Sequence, residues 1–503
     1  MVNVFISILE KESKENKKQR ILNEDKLPDD HRKGIRILEA LSATGLRSIR
    51  YARELPSDSV HSIVANDLDE AAVAAIRRNV EFNLLPTEVS PNDSNEQSTP
   101  PPVIPNHANA VSYMYQSLNS RFHVIDVDPY GTPSIFLNAA LQSVTEGGML
   151  CITATDMPVL CGKYPETCFA KYGATSIKGD NCHEGALRVL LGCVERHATQ
   201  FKRMIVPMVS LSVDYYVRVF VRVFTSPGAV KKSASKMGYV LQCSSCGSHE
   251  VVPMMKLVTT KGKKGGESLK YKTGSLPIGS SSTCSQCQHV NVQITGPMWI
   301  DPLFDSEVLK QLMDHLTENK DSYNSYSRLF GFLTTMSTEL HEPLLYSVSR
   351  LSKILHCNVP PITQFKAAFL NAGYEISSSH TDANSIKTNA PNDFIWDVFR
   401  AWIKLNPIKT PNENSPAFRL LSVEQKHQID FTIPEGKESE IGCAKLKRKH
   451  KKDFVPTFLP APTANWGPKA RATGFKRTQR EGDEMQIEPE SKKQKIDNDT
   501  PKE

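Results

Sequence analysis

The sequence lacks several features that would place the protein in a membrane or outside the cell. No apolar run approaches the roughly 18 residues of a membrane-spanning helix. The N-terminus, MVNVFISILEKESKENKK, lacks the basic, apolar and small-residue order of a secretory signal. The eleven cysteines are an odd number, scattered except for two close pairs, unlike the even framework of a secreted disulfide domain. We therefore expect an intracellular protein without a membrane segment.

Net charge is also low, and the positive excess is local. The formal charge is +6 over 503 residues, and the basic excess falls in the C-terminal tail, which contains KLKRKHKK at residues 445–452. Such a cluster binds phosphates electrostatically or serves as a nuclear localisation signal, and a merely solvated run of charge is the third interpretation. We expect the nucleus as the main location, with a mitochondrial or cytoplasmic pool as the alternative.

The chain is too long for one core, and its pattern predicts an α/β protein with several domains. From residue 34, IRILEALSATGLRSIRYAREL and then SIVANDLDEAAVAAIRRNVEFN each read as strand, turn and helix, which indicates a parallel sheet flanked by helices. After residue 302 the order helix, turn, helix, strand is typical of a winged-helix-like domain. The predicted organisation is a charged, truncated or disordered segment at 1–33, a sheet domain at 34–240, a cysteine-rich insertion and return to the core at 241–300, a winged-helix-like domain at 301–435 and a basic disordered tail at 436–503.

Two strand ends predict a site for a nucleoside cofactor. The small residues of EALSATGLR follow the first strand, where backbone can approach a ligand, although they depart from the GxGxxG dinucleotide pattern. The second strand ends in Asn66 and Asp67, and an acid there accepts hydrogen bonds from ribose hydroxyls. The alternative is that Asp67 only caps the following helix.

A third strand end, in FHVIDVDPYG, suggests a substrate for this site. Asp128 and the carbonyl group of Pro129 can accept hydrogen bonds from an exocyclic amino group, while Tyr130 stacks on the base that carries it. Aromatic amines are poor nucleophiles, so acceptors that hold the amine and take its proton favour attack on an electrophilic methyl group. The alternative is a plain β-turn, in which Asp, Pro and Gly are all common.

The two close cysteine pairs predict a metal site. Cys243 with Cys246, and Cys284 with Cys287, have the two-residue spacing that brings four sulfurs to one tetrahedral zinc ion. A closed set of four thiolates favours structural Zn²⁺ over catalytic zinc. Cys182-His183-Glu184 also contains ligand types, but consecutive helical residues point in different directions, and core packing or a domain contact is the favoured role there.

Several motifs together, in order, resemble the tRNA (guanine-26) N2-dimethyltransferase family. The resemblance covers residues 34–435 and rests on LEALSATGLRSIRYA, ANDLDEAAVAAIRRNVEFN, DVDPYGTPSIFLNAA, TATDMPVLCG, CHEGALRVLL, YYVRVFVRVF, GPMWIDPL and DANSIKTNAP. It implies a class I (Rossmann-like) methyltransferase sheet domain with a zinc-knuckle insertion and a C-terminal winged-helix-like α+β domain. It also implies S-adenosyl-L-methionine as cofactor, and tRNA as the substrate whose guanosine becomes N2-methyl- and N2,N2-dimethylguanosine.

The resemblance carries roles onto particular residues. Asp128, Pro129 and Tyr130 match the target-amine site, with Asp128 as general base or amine acceptor. Asn109 replaces an acid of the family pattern, and its carbonyl group can still accept from the adenine amino group. The cofactor-binding set is Glu39, Ala43, Gly45, Arg47, Asp67, Asn109 and Ala110, and the RNA-binding set is Lys353, Lys366 and Lys387.

Two other functions are considered. The family has an Asn-Pro segment and an Asn-Arg-Asp motif before the first strand, and this sequence starts at Met1 without them. A catalytically impaired tRNA-binding protein of the same fold is therefore the alternative. A DNA amino-methyltransferase that flips out its target base is the third hypothesis. No obligate protein partner is expected.

Overall fold

The computed structural model describes residues 1–21, 34–88, 100–261, 267–275 and 283–435. A seven-stranded sheet forms its centre, in the order β3-β2-β1-β4-β5-β7-β6. Strands β1 to β5 pair in parallel, whereas β7 is antiparallel to both β5 and β6. The strands are β1 (Ile35–Glu39), β2 (Val60–Asp67), β3 (Val103–His107), β4 (Phe122–Val127), β5 (Val144–Ala154), β6 (Arg203–Val213) and β7 (Tyr216–Thr225).

The register of the parallel strands collects acidic residues at one edge of the sheet. Glu39 at the end of β1 is aligned with Asp126 of β4, and β2 ends beside them at Asp67. Every residue of β4 is buried, as expected for a central parallel strand covered on both faces. The carboxyl edge is therefore where a ligand would be bound in such a sheet.

Helices cover both faces of the sheet, and short polar side chains start several of them. Asp69 caps α3 by accepting from the backbone N–H of Ala71 at 2.9 Å. The helices of this part are α1 (Val2–Ile21), α2 (Leu46–Glu54), α3 (Glu70–Phe82), α4 (Ala110–Gln116), α5 (Leu137–Ser143), α6 (Met157–Leu160), α7 (Pro165–Tyr172), α8 (Cys182–Thr199) and α9 (Pro227–Val230).

Helix α1 corrects the prediction for the first 33 residues, in which order was expected to begin near residue 34. Its early apolar residues are buried in the main core, among them Val4, Phe5 and Ile6. Arg222 of β7 pairs with Glu12 at 2.6 Å and lies 5.8 Å from the ring centroid of Phe5. Packing of these apolar residues against the core stabilises the first turns of α1. The sequence analysis missed the helix because the residues that follow are mostly charged or polar.

The cysteine-rich insertion consists of antiparallel strands. Its three-stranded sheet has the order β12-β8-β9, and a separate hairpin of β10 and β11 occupies part of the spacer between the two cysteine pairs. The strands are β8 (Met237–Cys243), β9 (His249–Pro253), β10 (Met255–Lys261), β11 (Glu267–Thr273) and β12 (Val292–Trp299).

The C-terminal region has a second hydrophobic core, which contains Phe365, Phe369 and Phe394. Two helices, α12 and α13, are followed by the antiparallel strands β14 and β15, and β15 also pairs with β13. This is the predicted winged-helix-like order. The elements are α10 (Ser306–Glu318), α11 (Tyr326–Ser337), β13 (Tyr346–Ser347), α12 (Val348–Leu355), α13 (Ile362–Asn371), β14 (Ile376–Ser378), β15 (Ser385–Thr388), α14 (Asn392–Leu405) and α15 (Pro416–Leu421).

A buried charge cluster joins α8 to the C-terminal region. Lys387 Nζ lies 3.1 Å from both Glu184 Oε2 and Glu339 Oε1, and His380 Nδ1 lies 2.7 Å from Glu339 Oε2. Burial alone would raise the pKa of Glu339, but the charges of His380 and Lys387 outweigh it and hold this pKa well below its usual value. Glu184 Oε1 also accepts from the backbone N–H of Leu344 at 2.7 Å. This cluster fixes the contact between the two cores.

We expect Lys387→Met to lower the free energy of unfolding by about 3 kcal/mol, because it leaves two buried glutamates without their shared cation. Urea denaturation measures the change. Lys353→Met, at an exposed lysine of α12, serves as the control and should change stability by less than about 0.5 kcal/mol. The double variant Lys387→Met/Glu339→Gln should recover part of the loss. Equal stability of Lys387→Met and the wild type would contradict the role given to this cluster.

Candidate active site

The loop after β1 is held against the end of β2. The backbone N–H of Ala43 donates to Asp67 Oδ2 at 2.8 Å, and the N–H of Asp69 donates to Asp67 Oδ1 at 3.0 Å. Ala43 and Gly45 have positive φ angles of 50° and 73°, and a Cβ atom on Gly45 would lie 3.0 Å from Ile76 of α3. Glycine therefore lets the loop turn close to α3 before α2 begins.

Asp67 does not act as the cap of α3, since Asp69 has that position. The carboxylate of Asp67 is half-buried at the carboxyl edge, next to a Leu68 side chain that is 62% exposed. A half-buried acceptor therefore lies next to an uncovered apolar side chain at this end of the sheet.

Glu39 faces its own loop and is only 4% exposed. Its Oε2 atom accepts from Ser48 N at 3.0 Å and from Ser48 Oγ at 2.5 Å, which ties the end of β1 to the first turn of α2. Burial raises the pKa of Glu39 to about 7. The side chain thus shapes the loop that was predicted to bind the cofactor.

Two arginines bridge two carboxylates at the end of β4. Asp126 is fully buried, accepts hydrogen bonds from Arg218 at 2.7 Å and from the Tyr51 hydroxyl at 3.0 Å, and forms an ion pair with Arg47 Nη1 at 3.0 Å. Arg47 also donates to Asp128 Oδ2 at 2.5 Å, and Arg218 Nη1 lies 3.7 Å from the same oxygen. This network fixes the orientation of Asp128 relative to the loop after β1.

Sequence reasoning did not identify Asp126, Arg218 or Tyr51 as parts of this site. The acid in the middle of the apolar run VIDVD, and the arginine in the buried strand YVRVFVRVF, were the available signals. A charged side chain in a central strand needs a partner when it is buried. Their pairing across 92 positions of sequence became evident only in the folded chain.

The residues predicted to hold the target amine lie beside this network. Asp128 is half-buried, Pro129 is buried and Tyr130 is fully exposed. The next residue, Gly131, donates its N–H to Thr155 Oγ1 at 2.7 Å and accepts from Thr155 N at 3.0 Å. These bonds anchor the loop to the end of β5 and leave the Tyr130 ring projecting into solvent.

Asn109 is the N-cap of α4. Its Oδ1 atom accepts from Val111 N at 3.0 Å and from Ser112 N at 3.1 Å, and Ala110 behind it is buried. The carbonyl oxygen that was predicted to accept from adenine is therefore occupied by the helix, and the other atom of the amide is a donor.

The four cysteines of the insertion converge. All four are buried, and their sulfur atoms lie within 4.8 Å of one another. The Cys243–Cys287 and Cys246–Cys284 sulfur pairs are both 3.6 Å apart. A tetrahedral zinc ion with Zn–S bonds of about 2.3 Å separates its sulfurs by roughly 3.8 Å, so the group fits zinc.

The lysines predicted to bind RNA differ in their exposure. Lys353 is exposed, whereas Lys366 donates to Ser378 Oγ at 2.9 Å and is 5% exposed, and Lys387 belongs to the buried charge cluster. An RNA phosphate reaches neither buried ammonium group in this structure, so Lys366 and Lys387 are corrected to structural roles. Polar and apolar residues are mixed around both lysines, so the sequence alone did not show whether their side chains are buried or exposed.

A family model described as N2,N2-dimethylguanosine tRNA methyltransferase matches residues 2–400. The chain belongs to this family. Proteins named tRNA (guanine(26)-N(2))-dimethyltransferase from Mus musculus and Homo sapiens are each 40% identical to it over 444 and 442 residues. These alignments cover 87% of this chain but 62% and 63% of the relatives, so the chain spans less than two thirds of their length.

A solved structure supports the same fold. Trm1 from Pyrococcus horikoshii, in complex with S-adenosyl-L-methionine, matches with a TM-score of 0.58 and 27% identity, over 72% of this chain and 88% of the other. Together with the strand order, this confirms the predicted class I methyltransferase fold. Within the described residues, no helix has the length and apolar character needed to span a membrane.

The raised pKa of Glu39 predicts a dependence of stability on pH. Between about pH 4.5 and 7 the folded state keeps a proton that the unfolded state has lost, so the contribution of Glu39 to stability falls as pH rises. Glu39→Gln keeps an acceptor for Ser48 without ionising. We expect its free energy of unfolding to exceed that of the wild type by a margin that grows between pH 5 and 8, to about 2 kcal/mol.

Urea denaturation at pH 5, 6, 7 and 8 measures this margin. Glu54→Gln, at an exposed glutamate of α2 paired with Arg50, is the control and should show a small difference over that range. A margin for Glu39→Gln that does not change with pH would contradict the assignment.

Proposed function

We propose that this chain transfers methyl groups from S-adenosyl-L-methionine to the exocyclic N2 of guanosine 26 in tRNA, giving N2-methyl- and N2,N2-dimethylguanosine. The main support is the position of Asp128, Pro129 and Tyr130 beside the loop after β1, in a chain whose relatives are named for this reaction.

The residues at the carboxyl edge fit the cofactor. The Asp67 carboxylate would accept from the ribose hydroxyls, and the exposed Leu68 would contact the adenine. Glu39, Ala43, Gly45 and Arg47 shape the loop, while Asn109 and Ala110 form the start of α4 nearby. Because Asn109 Oδ1 is occupied by the helix, its amide N–H would face a ring nitrogen of adenine rather than the adenine amino group. When bound, S-adenosyl-L-methionine supplies an electrophilic methyl group.

The chain itself would bind and activate the guanine. Tyr130 is free to stack on the base, since its ring is exposed. The Pro129 carbonyl group and Asp128 would accept from the N2 amine, and Asp128 would take the proton that the amine loses. Arg47 and Arg218 both contact Asp128 through Oδ2, and in the proposed complex Oδ1 would accept from the amine.

The same geometry disfavours the catalytically impaired alternative. The loop of residues 128–131, called the amine loop below, is in place in the described residues, as are the loop after β1 and the arginine network between them. The DNA amino-methyltransferase hypothesis uses the same acceptor groups and differs only in the nucleic acid, so it is an outcome of the activity assay below.

For tRNA, we propose that Lys353 contributes to a contact with the phosphate backbone. An open groove of about 680 Å³ is lined by Arg350 and Lys353 of α12 and by His356 at its C-terminal end. Ser245 of the first cysteine knuckle lines the same groove. Arg350 is partly neutralised by Asp180, whose carboxylate lies 3.4 Å away. Cations along one helix face and neighbouring hydroxyl groups suit phosphate oxygens.

The four-cysteine group would bind structural Zn²⁺, with no position open for catalysis. For location we propose the nucleus, on the basis of the basic cluster at residues 445–452, which lies outside the described residues. A Saccharomyces cerevisiae relative, 36% identical over 452 residues, is named as mitochondrial, and mitochondrial residence is the alternative.

The proposal predicts that the chain methylates unmodified tRNA with labelled S-adenosyl-L-methionine, and that nucleoside analysis finds N2-methyl- and N2,N2-dimethylguanosine. A tRNA with adenosine at position 26 is the control and should receive no label at that position. Label in DNA but not in tRNA would support the third hypothesis. Binding of tRNA without any methyl transfer would support the impaired alternative.

Two substitutions should separate chemistry from cofactor binding. Asp128→Asn removes the proton acceptor, so we expect kcat to fall by about 10²–10⁴-fold while the Kd for S-adenosyl-L-methionine changes little. Asp67→Ala removes the ribose acceptor and should raise that Kd by roughly tenfold or more. Calorimetry and initial rates measure the two effects. Wild-type rates for Asp128→Asn would refute its assignment.

The zinc proposal predicts that Cys243→Ser with Cys246→Ser releases one zinc ion per chain and lowers Tm, because the binding energy of a structural zinc contributes to folding. Elemental analysis and thermal unfolding measure these effects. Cys357→Ser, at a half-buried cysteine outside this group, is the control. An unchanged zinc content in the double variant would refute the proposal.

A further inference from the structure

A second group of metal-ligand types is present away from the four-cysteine group. Cys161, directly after α6, lies beside Cys182 and His183 at the start of α8, and one ligand atom from each falls within 4.8 Å of the others. All three side chains are partly exposed, so solvent reaches them. The sequence suggested packing or a domain contact for residues 182–184, and the structure shows such a contact for Glu184, which bonds to Leu344 N and pairs with Lys387.

We propose that Cys161, Cys182 and His183 form a second site for a divalent cation of the zinc type. Thiolate sulfur and imidazole nitrogen bind zinc in preference to harder cations such as Mg²⁺ and Ca²⁺. The spacing suits such a set, because ligand atoms around zinc are separated by roughly 3.3–3.8 Å. With three protein ligands, the fourth position is open to water, which distinguishes this site from the closed four-cysteine group.

The surroundings favour a cation. The carboxylates of Asp180 and Asp382 act electrostatically on Cys182 and His183, and both add negative potential.

The ring of His183 is also held in place. Ser212 Oγ of β6 lies 3.3 Å from His183 Nδ1. Hydrogen bonds of this kind fix the orientation of ligating histidines and raise their affinity for metal.

The position indicates what the ion would do. Cys161 is the last residue of the short segment 155–161 that follows β5. Thr155, the first residue of that segment, contacts Gly131 of the amine loop. Cys182 begins α8, whose neighbouring Asn181 accepts from Leu345 N at 2.8 Å in the C-terminal region. A bound ion would tie the segment after β5 to the junction of the two cores.

The test measures zinc in the full chain, purified under reducing conditions and then supplied with zinc alone. We expect two zinc ions per chain in the wild type, and one in Cys161→Ser and in His183→Asn. The double variant Cys243→Ser/Cys246→Ser should also keep one zinc ion per chain. The triple variant that adds Cys161→Ser should bind none. Cys357→Ser is the matched control and should keep two.

Cobalt substitution gives a second readout, because thiolate-to-Co²⁺ charge-transfer bands should weaken in Cys161→Ser and persist in Cys357→Ser. His183→Asn keeps both thiols, so it tests the site even if the cysteine variants fail to fold. One zinc ion in the wild type, or an unchanged count in both Cys161→Ser and His183→Asn, would overturn the proposal. A Cys161–Cys182 disulfide with no zinc uptake by the reduced protein would overturn it as well.

Discussion

The burial of Asp126 is the constraint on which the candidate active site depends. A fully buried carboxylate in a central strand is costly unless cations and hydrogen bonds surround it, and here Arg218 from β7, Arg47 from α2 and Tyr51 supply them. Arg47 and Tyr51 belong to α2 and Arg218 belongs to β7, so satisfying this one charge fixes β4, α2 and β7 relative to one another. Loss of one arginine would leave the buried charge only partly compensated.

The same interaction connects the two halves of the proposed chemistry. Arg47 belongs to α2, which follows the loop after β1, and its Nη2 atom holds Asp128 in the amine loop while Nη1 pairs with Asp126. Glu39, aligned with Asp126 in the sheet, ties the start of that helix through Ser48. A nucleoside cofactor and an amine substrate would therefore bind to loops whose spacing is set beneath them by buried charges.

Beyond the sheet, the molecule uses buried polar groups again where its parts meet. Lys387 neutralises glutamates from α8 and from the C-terminal region. The cysteine knuckles contact that region too, since Trp396 of α14 donates to Ser248 Oγ and Arg419 of α15 donates to Cys287 O. These directional contacts hold the groove beside Lys353 in one arrangement, which an apolar interface alone would fix less specifically.

The sequence by itself determined those features that depend on local pattern. Alternating apolar runs and turns predicted the sheet, paired cysteines predicted the metal group, and the order of motifs predicted the family. Asp128, Pro129 and Tyr130 are predicted site residues because they follow a strand directly, and the ends of parallel strands meet at one edge of the sheet. Local pattern failed for α1, where charged residues hid the buried turns, and for Lys366 and Lys387, whose exposure depends on distant partners.

Only the tertiary structure decided which charges pair. No local rule connects Asp126 with Arg218 or Lys387 with Glu184, because the members of each pair are far apart in the chain. The same holds for Cys161 and Cys182. The physical reason is common to the two buried pairs, Asp126 with Arg218 and Lys387 with Glu184. A polar or charged group leaves water only when folding brings a partner to it, and the identity of that partner depends on how whole elements pack.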